Sequence, residues 1–317
     1  MNRAAIPLLA GATTISAGYL AAYGLTASYP PPPDLHGRWS KGSRTIDGRT
    51  RRTQWYRPPT TAPAASAILL VLHGSGQNGA QIRRATGHRF DQLADEHGFS
   101  VIYPDGFRHN WNECRRQSAF AAKRLHVDDI AFIRALVEDI DPARTLRVLA
   151  TGYSSGGQMA TRLALEAPDL VTAIAPVAAN PPTVDNIGCA DRGVAVPAFF
   201  VAGTDDPKNP YGGGHDRLYG FADRGPVRSA VDGAAWFAER NGMPGDPEVT
   251  TLETAPDESG RLYRWSGRHP VGLLSITGGG HHYPALGYRG PRILGRTVAV
   301  DVPGIVTDFL LAQGKTE

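Results

Sequence analysis

Six consecutive apolar residues, Ala67 to Leu72, run straight into a glycine-rich turn, Gly74 to Gly79. A strand with no polar alternation has both faces buried, which requires helices above and below a parallel sheet. The unit recurs along the chain. Phe99 to Tyr103 is closed by Pro104-Asp105-Gly106, and Leu146 to Ala150, Val171 to Val177, Ala198 to Val201 and Leu273 to Ile276 follow. Between these strands lie helical patterns. Ile82, Phe90, Leu93 and Ala94 fit one helical face. Ile130, Ile133, Leu136, Val137 and Ile140 recur at three and four residues after the capping pair Asp128-Asp129. A further helix runs from Gly156 to Ala167, stopped by Pro168. Ser229 to Asp232 is a capping box that opens a helix from Ala230 to Arg240, with Trp236 and Phe237 as core residues. The last helix lies near Ile305 to Gln313. Upstream, Arg44 to Arg57 alternates around Asp47-Gly48, a hairpin signal. The expected fold class is α/β, a mostly parallel central sheet flanked by helices on both faces.

At 317 residues and 41% hydrophobic, the chain can bury a core without a metal or disulfide scaffold. The net charge of +3 is spread thinly, with no run of like charges to bind nucleic acid. Two cysteines exclude a four-cysteine zinc site, and no H-E-x-x-H or C-x-x-C occurs. No metal and no cofactor are expected. With no repeat and no second composition block, residues 38–317 read as one catalytic domain, expected to be monomeric. From Ala4 to Pro33 there is no charged residue. Ile6 to Leu25 is apolar, Ala27-Ser28 is a small-residue exit, and Pro30 to Pro33 follows. This reads as a signal peptide over 1–28 and a Pro-rich linker over 29–37. An uncleaved membrane anchor is the alternative, weakened by Gly11, Gly18 and Gly24. The chain is therefore expected to be secreted, with no membrane contact after cleavage.

Gly152-Tyr153-Ser154-Ser155-Gly156 matches G-x-S-x-G. Alone it is a weak pattern, but a buried strand leads into it and a helix leads out. A sharp strand-to-helix turn lifts the serine hydroxyl to the sheet edge, and the helix N-terminus brings positive dipole to a developing oxyanion. The base and acid should follow in chain order acid, then base. The strand ending at Ile276 leads into Thr277, three glycines, and His281-His282. This reads as a flexible loop delivering an imidazole, with His281 as base and His282 as its competitor. The strand ending at Val201 leads through Gly203-Thr204 to Asp205-Asp206-Pro207. A carboxylate there can fix the imidazole tautomer; Asp206 is preferred and Asp205 is the alternative. Asp191, Asp216 and Asp223 read as surface carboxylates.

The turn Gly74 to Gly79 also spells G-x-G-x-x-G, a dinucleotide fingerprint, and Asp105 ends the next strand where a ribose-binding acid would sit. That reading leaves the serine, aspartate and histidine unexplained. As an oxyanion turn, the same glycines let a backbone N–H of Ser75 or Gly76 point at the oxyanion with that of Ser155.

Several segments together resemble the secreted esterase/polyhydroxybutyrate (PHB) depolymerase family, related to the feruloyl and acetylxylan esterases. They are Leu72 to Asn78, Thr86 to Phe99, Tyr103 to Gly106 with Trp111-Asn112, and Val127 to Ile133. Gly152 to Gly156, Gly203 to Pro207 with Pro210-Tyr211, and Gly278 to His281 complete the set. The resemblance covers about residue 40 to the C-terminus. It implies an α/β-hydrolase fold with Ser154 as nucleophile, Asp206 as acid and His281 as base. The family usually has Thr or Trp after its catalytic histidine and Cys-Thr in the oxyanion turn; here they are His282-Tyr283 and Ser75-Gly76. Trp111, Tyr211 and His282 are candidate substrate-binding residues, with packing as the alternative role for the two aromatics. Cys114 and Cys189 lie in loops at the same sheet edge and have one possible pairing. The function expected is serine ester hydrolysis of feruloyl or acetyl esters or short polyhydroxyalkanoates, with small or oligomeric esters favoured because no polymer-binding domain follows. An NAD-dependent oxidoreductase using Gly74 to Gly79, or a catalytically inactive binding protein, are the alternatives.

Overall fold

The computed structural model describes residues 27–63, 67–255 and 258–314. The signal-peptide reading therefore falls outside the described residues, except for Ala27 and Ser28.

A ten-stranded sheet has the order β1-β2-β4-β3-β5-β6-β7-β12-β11-β10. Its centre is parallel: β3 (Ala67–Leu72), β4 (Ser100–Pro104), β5 (Arg147–Tyr153), β6 (Ala173–Val177), β7 (Ala198–Gly203) and β12 (Val271–Ile276). Each margin is an antiparallel hairpin. At one edge β1 (Arg38–Ile46) pairs with β2 (Arg49–Arg57). Asp47 and Gly48 turn between them with φ of 48° and 69°, as a primed two-residue turn requires. At the other edge β10 (Glu248–Ala255) pairs with β11 (Glu258–Trp265). The sequence pattern does not reveal this second hairpin, since Thr250, Glu253 and Arg261 break the apolar runs with polar side chains. A small ribbon, β8 (Gly214–His215) with β9 (Pro226–Val227), stands apart.

Period-two alternation divides the central strands between two cores. Ile68, Leu70 and Leu72 face Phe132 of α4 (Asp129–Ile140), Met159 and Leu163 of α5 (Ser155–Glu166), and Phe237 of α6 (Ala230–Arg240). Ala67, Leu69 and Val71 face Ile82 of α1 (Gly79–Ala85), Phe90 and Leu93 of α2 (Arg89–His97), and Val306 and Leu310 of α7 (Val302–Leu311). The expected helix through Ile82 and Phe90 is two helices, broken where Gly87 and His88 take left-handed φ of 63° and 57°. A single turn, α3 (Ala121–Arg124), lies in the loop after β4.

The 29–37 segment is not a free spacer. Ser28 exchanges two backbone hydrogen bonds with Arg289, at 2.8 and 2.9 Å. The Tyr29 ring lies 5.6 Å from that of Tyr288 and under the Arg84 guanidinium. Cys114 and Cys189 form a disulfide. Among the described residues, no helix is long and apolar enough to cross a membrane. The parallel strands all end at one margin, where the Ser75 turn, Ser154, Asp206 and His281 follow β3, β5, β7 and β12.

Candidate active site

Ser154 caps α5 with φ 53° and ψ −116°, a conformation that costs roughly 1–3 kcal/mol and persists only under tight surroundings. Those surroundings are backbone. A Cβ on Gly152 would stand 2.3 Å from the Gly156 carbonyl, and one on Gly156 would stand 2.2 Å from the Leu72 carbonyl oxygen. The Ser154 N–H donates to Val177, and its carbonyl accepts the N–H of Gln158. The first turn of α5 therefore leaves its leading N–H groups unused.

Beside this elbow the structure brings together three expected side chains. His281 Nε2 lies 2.9 Å from Ser154 Oγ, and His281 Nδ1 lies 2.7 Å from Asp206 Oδ2. All three are buried. Asp206 Oδ1 accepts the N–H groups of Lys208 and Asn209, each at 2.8 Å, which leaves Oδ2 for the imidazole. Asp205 is exposed; its N–H donates to the Gly279 carbonyl and its carboxylate accepts the Thr204 hydroxyl. The acid beside the imidazole is thus Asp206.

The glycine loop before His281 is close-packed, not flexible. A Cβ on Gly280 would lie 2.4 Å from the Leu294 carbonyl oxygen, and one on Gly203 would lie 2.2 Å from that of Gly279. The His281 N–H donates to Leu294, and the Tyr153 hydroxyl donates to the His281 carbonyl at 2.6 Å.

On the oxyanion side, one expectation is corrected. Gly76 is not a free donor, because its N–H donates to the His109 carbonyl at 2.9 Å. Among the described residues, the N–H groups of Ser75 and Ser155 meet no acceptor. The turn is braced by His73, whose Nδ1 contacts the Gly74 carbonyl oxygen at 2.7 Å while Nε2 accepts the Gly106 N–H at 2.8 Å. Burial holds this imidazole down to about 3, so it is neutral. The dinucleotide reading loses its two contacts: the Gly79 N–H donates to Asp105 Oδ1 at 2.8 Å, so the helix donor and the expected ribose acid are paired with each other.

The expected substrate-binding residues fare differently. Trp111 is fully buried, its Nε1–H donating to the His73 carbonyl at 2.9 Å. It supports the Gly74–Ser75 turn from behind and does not line a cleft. His282 is also buried; its Nε2 contacts the Gly295 carbonyl oxygen at 3.1 Å and its ring packs edge-on to Tyr288. Burial holds it down to about 4. Its ring belongs to the packing behind His281. Tyr211 is half-buried against the core, its hydroxyl 2.7 Å from Ser275 Oγ.

Asp216 is not a surface carboxylate. It is buried between Lys208, Arg115 and Arg224, and Arg115 also pairs with Glu113 at 3.0 Å. Burial would raise the Asp216 carboxyl, but these cations hold it far below the usual range. Burial pushes the Lys208 ammonium down to about 8. This network ties the loop after Asp206 to the disulfide loop. Only the whole fold reveals it, because its charged residues are scattered over three loops. Tyr153 had a local signal: a large hydroxylated ring at the end of the strand Arg147–Tyr153, immediately before the elbow serine.

Residues 52–179 match the model of the family described as Esterase PHB depolymerase, a stretch from β2 through β6 that contains the elbow. That stretch of the chain is similar to the esterase/PHB depolymerase domain. The chain is 27% identical over 297 residues to NocK of Nocardia uniformis subsp. tsuyamanensis, a protein assigned as an esterase, covering 84% of this chain and 80% of the relative. It is 27% identical over 316 residues to the poly(3-hydroxybutyrate) depolymerase of Ralstonia pickettii, covering 94% of this chain but 59% of that protein. The acetyl xylan esterase of Aspergillus awamori shares the fold, with a TM-score of 0.55 at 17% identity over 77% of this chain and 95% of that one.

Proposed function

We propose that this carboxylic ester hydrolase works through a serine acyl-enzyme. The observation that carries the reading is the unbroken chain from Ser154 Oγ to His281 Nε2 and from His281 Nδ1 to Asp206, at 2.9 and 2.7 Å. His281 takes the Ser154 proton as Oγ attacks the ester carbonyl. The N–H groups of Ser75 and Ser155 receive the oxyanion. His281 passes its proton to the departing alcohol, and the C–O bond to that alcohol breaks. Water then gives a proton to His281 and attacks the acyl-serine; the bond from the acyl carbon to Ser154 Oγ breaks, His281 returns the proton to Oγ, and the acid leaves. Asp206 holds the imidazole tautomer and stabilises its protonated form throughout.

Secretion belongs to the same reading. The Cys114–Cys189 disulfide suits an oxidising compartment. Residues 1–28 read as a signal peptide. The substrates are external esters: small aryl, acetyl or hydroxyalkanoate esters and their oligomers. Ser154→Ala, assayed on a p-nitrophenyl ester, is expected to lose at least about 10⁴-fold in kcat at an unchanged melting temperature. Activity near that of the parent would overturn the mechanism. A kcat/KM ranking of methyl ferulate, acetylated xylo-oligomers, hydroxybutyrate oligomers and polymer film assigns the substrate. Efficient film clearing with weak soluble-ester activity would overturn the preference for small esters.

A further inference from the structure

We propose that Tyr153 is a positioning residue that sets the distance between the nucleophile and its base. Three contacts point to this. Tyr153 is joined to Ser154 by one peptide bond, at the end of a strand hydrogen-bonded to β3 and β6. Its hydroxyl donates to the His281 carbonyl at 2.6 Å, and the two rings lie 5.3 Å apart. Its ring also packs on the oxyanion turn, where a Cβ on Gly74 would stand 2.6 Å from it. One buried phenol therefore touches the base and the oxyanion turn and is bonded to the nucleophile.

The three glycines before His281 are packed through their backbone but bring no side chain to it; the His281 N–H is bonded to Leu294, and the Tyr153 hydroxyl holds its carbonyl. The imidazole must meet Ser154 on one side and Asp206 on the other, so a shift of the His281 main chain lengthens one contact or the other. A misplacement of about 1 Å can cost a reaction about 10²-fold. A phenol ring has only two side-chain torsions, and its length is fixed.

The inference rests on the serine mechanism proposed above, and the test keeps the two apart. Covalent labelling of the parent protein by a fluorophosphonate, located at Ser154, tests the mechanism. Tyr153→Phe tests the strut, since it removes the donor and keeps the ring. It is expected to fall about ten- to a hundredfold in kcat with KM within about twofold, because Tyr153 is not placed against substrate. The downfield Nδ1 proton of His281, followed by NMR, is expected to shift or broaden. Tyr153→4-aminophenylalanine retains the ring and a weaker donor and is expected to lose no more than about fivefold in kcat. Should the Phe variant fail to fold, the amino variant is read alone, with a two- to fivefold loss of roughly that size and a displaced Nδ1 resonance expected. A parent labelled at Ser154, together with a folded variant showing parental kcat and resonance, would overturn the strut and leave the mechanism standing. A parent that resists labelling would overturn the mechanism itself.

Discussion

Asp206 Oδ2 lies 2.7 Å from His281 Nδ1, while the side chain of the adjacent Asp205 reaches only Thr204. Two successive carboxylates thus have unequal roles, and single substitutions separate them. Asp206→Asn preserves shape but offers the imidazole a group that stabilises the wrong tautomer. The expected loss is about 10⁴-fold in kcat. Asp205→Asn is expected to stay within about threefold, because an exposed carboxylate loses little on neutralisation. Steady-state kinetics on both variants decides the matter, and the reverse order would move the acid by one residue.

The elbow depends on the size of its glycines. On Gly156 a methyl group would meet the carbonyl oxygens of Leu72 and His73 at 2.2 and 2.6 Å, both of them backbone atoms that cannot swing away. Gly156→Ala is expected to cost at least about 3 kcal/mol in urea unfolding, or to yield no soluble protein. Gly212 has nothing within 4 Å of its built Cβ. Gly212→Ala is expected to unfold at the parental urea concentration.

The disulfide joins residues separated by 75 positions and anchors the loop that carries Glu113 and Arg115. In the chain-entropy account, closing a loop of this size is worth about 4 kcal/mol. Under non-reducing conditions a peptide pair linking Cys114 to Cys189 is expected by mass spectrometry. The Cys114→Ala, Cys189→Ala double variant is expected to melt well below the parent. Equal melting temperatures would show that the bond contributes nothing to stability.

The parallel core and the Ser154–His281–Asp206 cluster were legible because each is written locally. An unbroken apolar run marks a doubly buried strand, and each of the three side chains lies in the loop or turn that follows one. What could not be read depends on distant partners. The fate of the Gly76 N–H is decided by the His109 carbonyl on another loop. Trp111 looks the same in sequence whether it lines a cleft or braces His73 from behind. Asp216 reads as a surface acid until Lys208 and Arg115 are folded around it. His282 follows the base directly, yet its backbone and Gly295 turn its ring into the packing behind it.

His282 and His73 also make the fold acid-sensitive. Burial lowers both imidazoles, His282 from 6.5 to about 4 and His73 from 6.5 to about 3. The folded state therefore holds them neutral while the unfolded chain, with ordinary imidazoles, binds protons first. Between the two values the unfolded state carries more protons, so stability falls as pH falls. Their contribution is complete above about pH 6.5 and is lost progressively on the way down to about pH 4 for His282 and about pH 3 for His73. For His282 the gap corresponds to about 3 kcal/mol across the window. Urea midpoints measured from pH 7.5 to 4 are expected to drop steadily below pH 6.5. His282→Gln removes one titrating ring while keeping a polar side chain near the Gly295 carbonyl. It is expected to flatten the pH dependence while kcat at pH 7.5 stays within about tenfold, since His282 does not touch Ser154. A variant with the parental slope would show that His282 does not drive the acid loss, and one with abolished kcat would return His282 to the reacting centre.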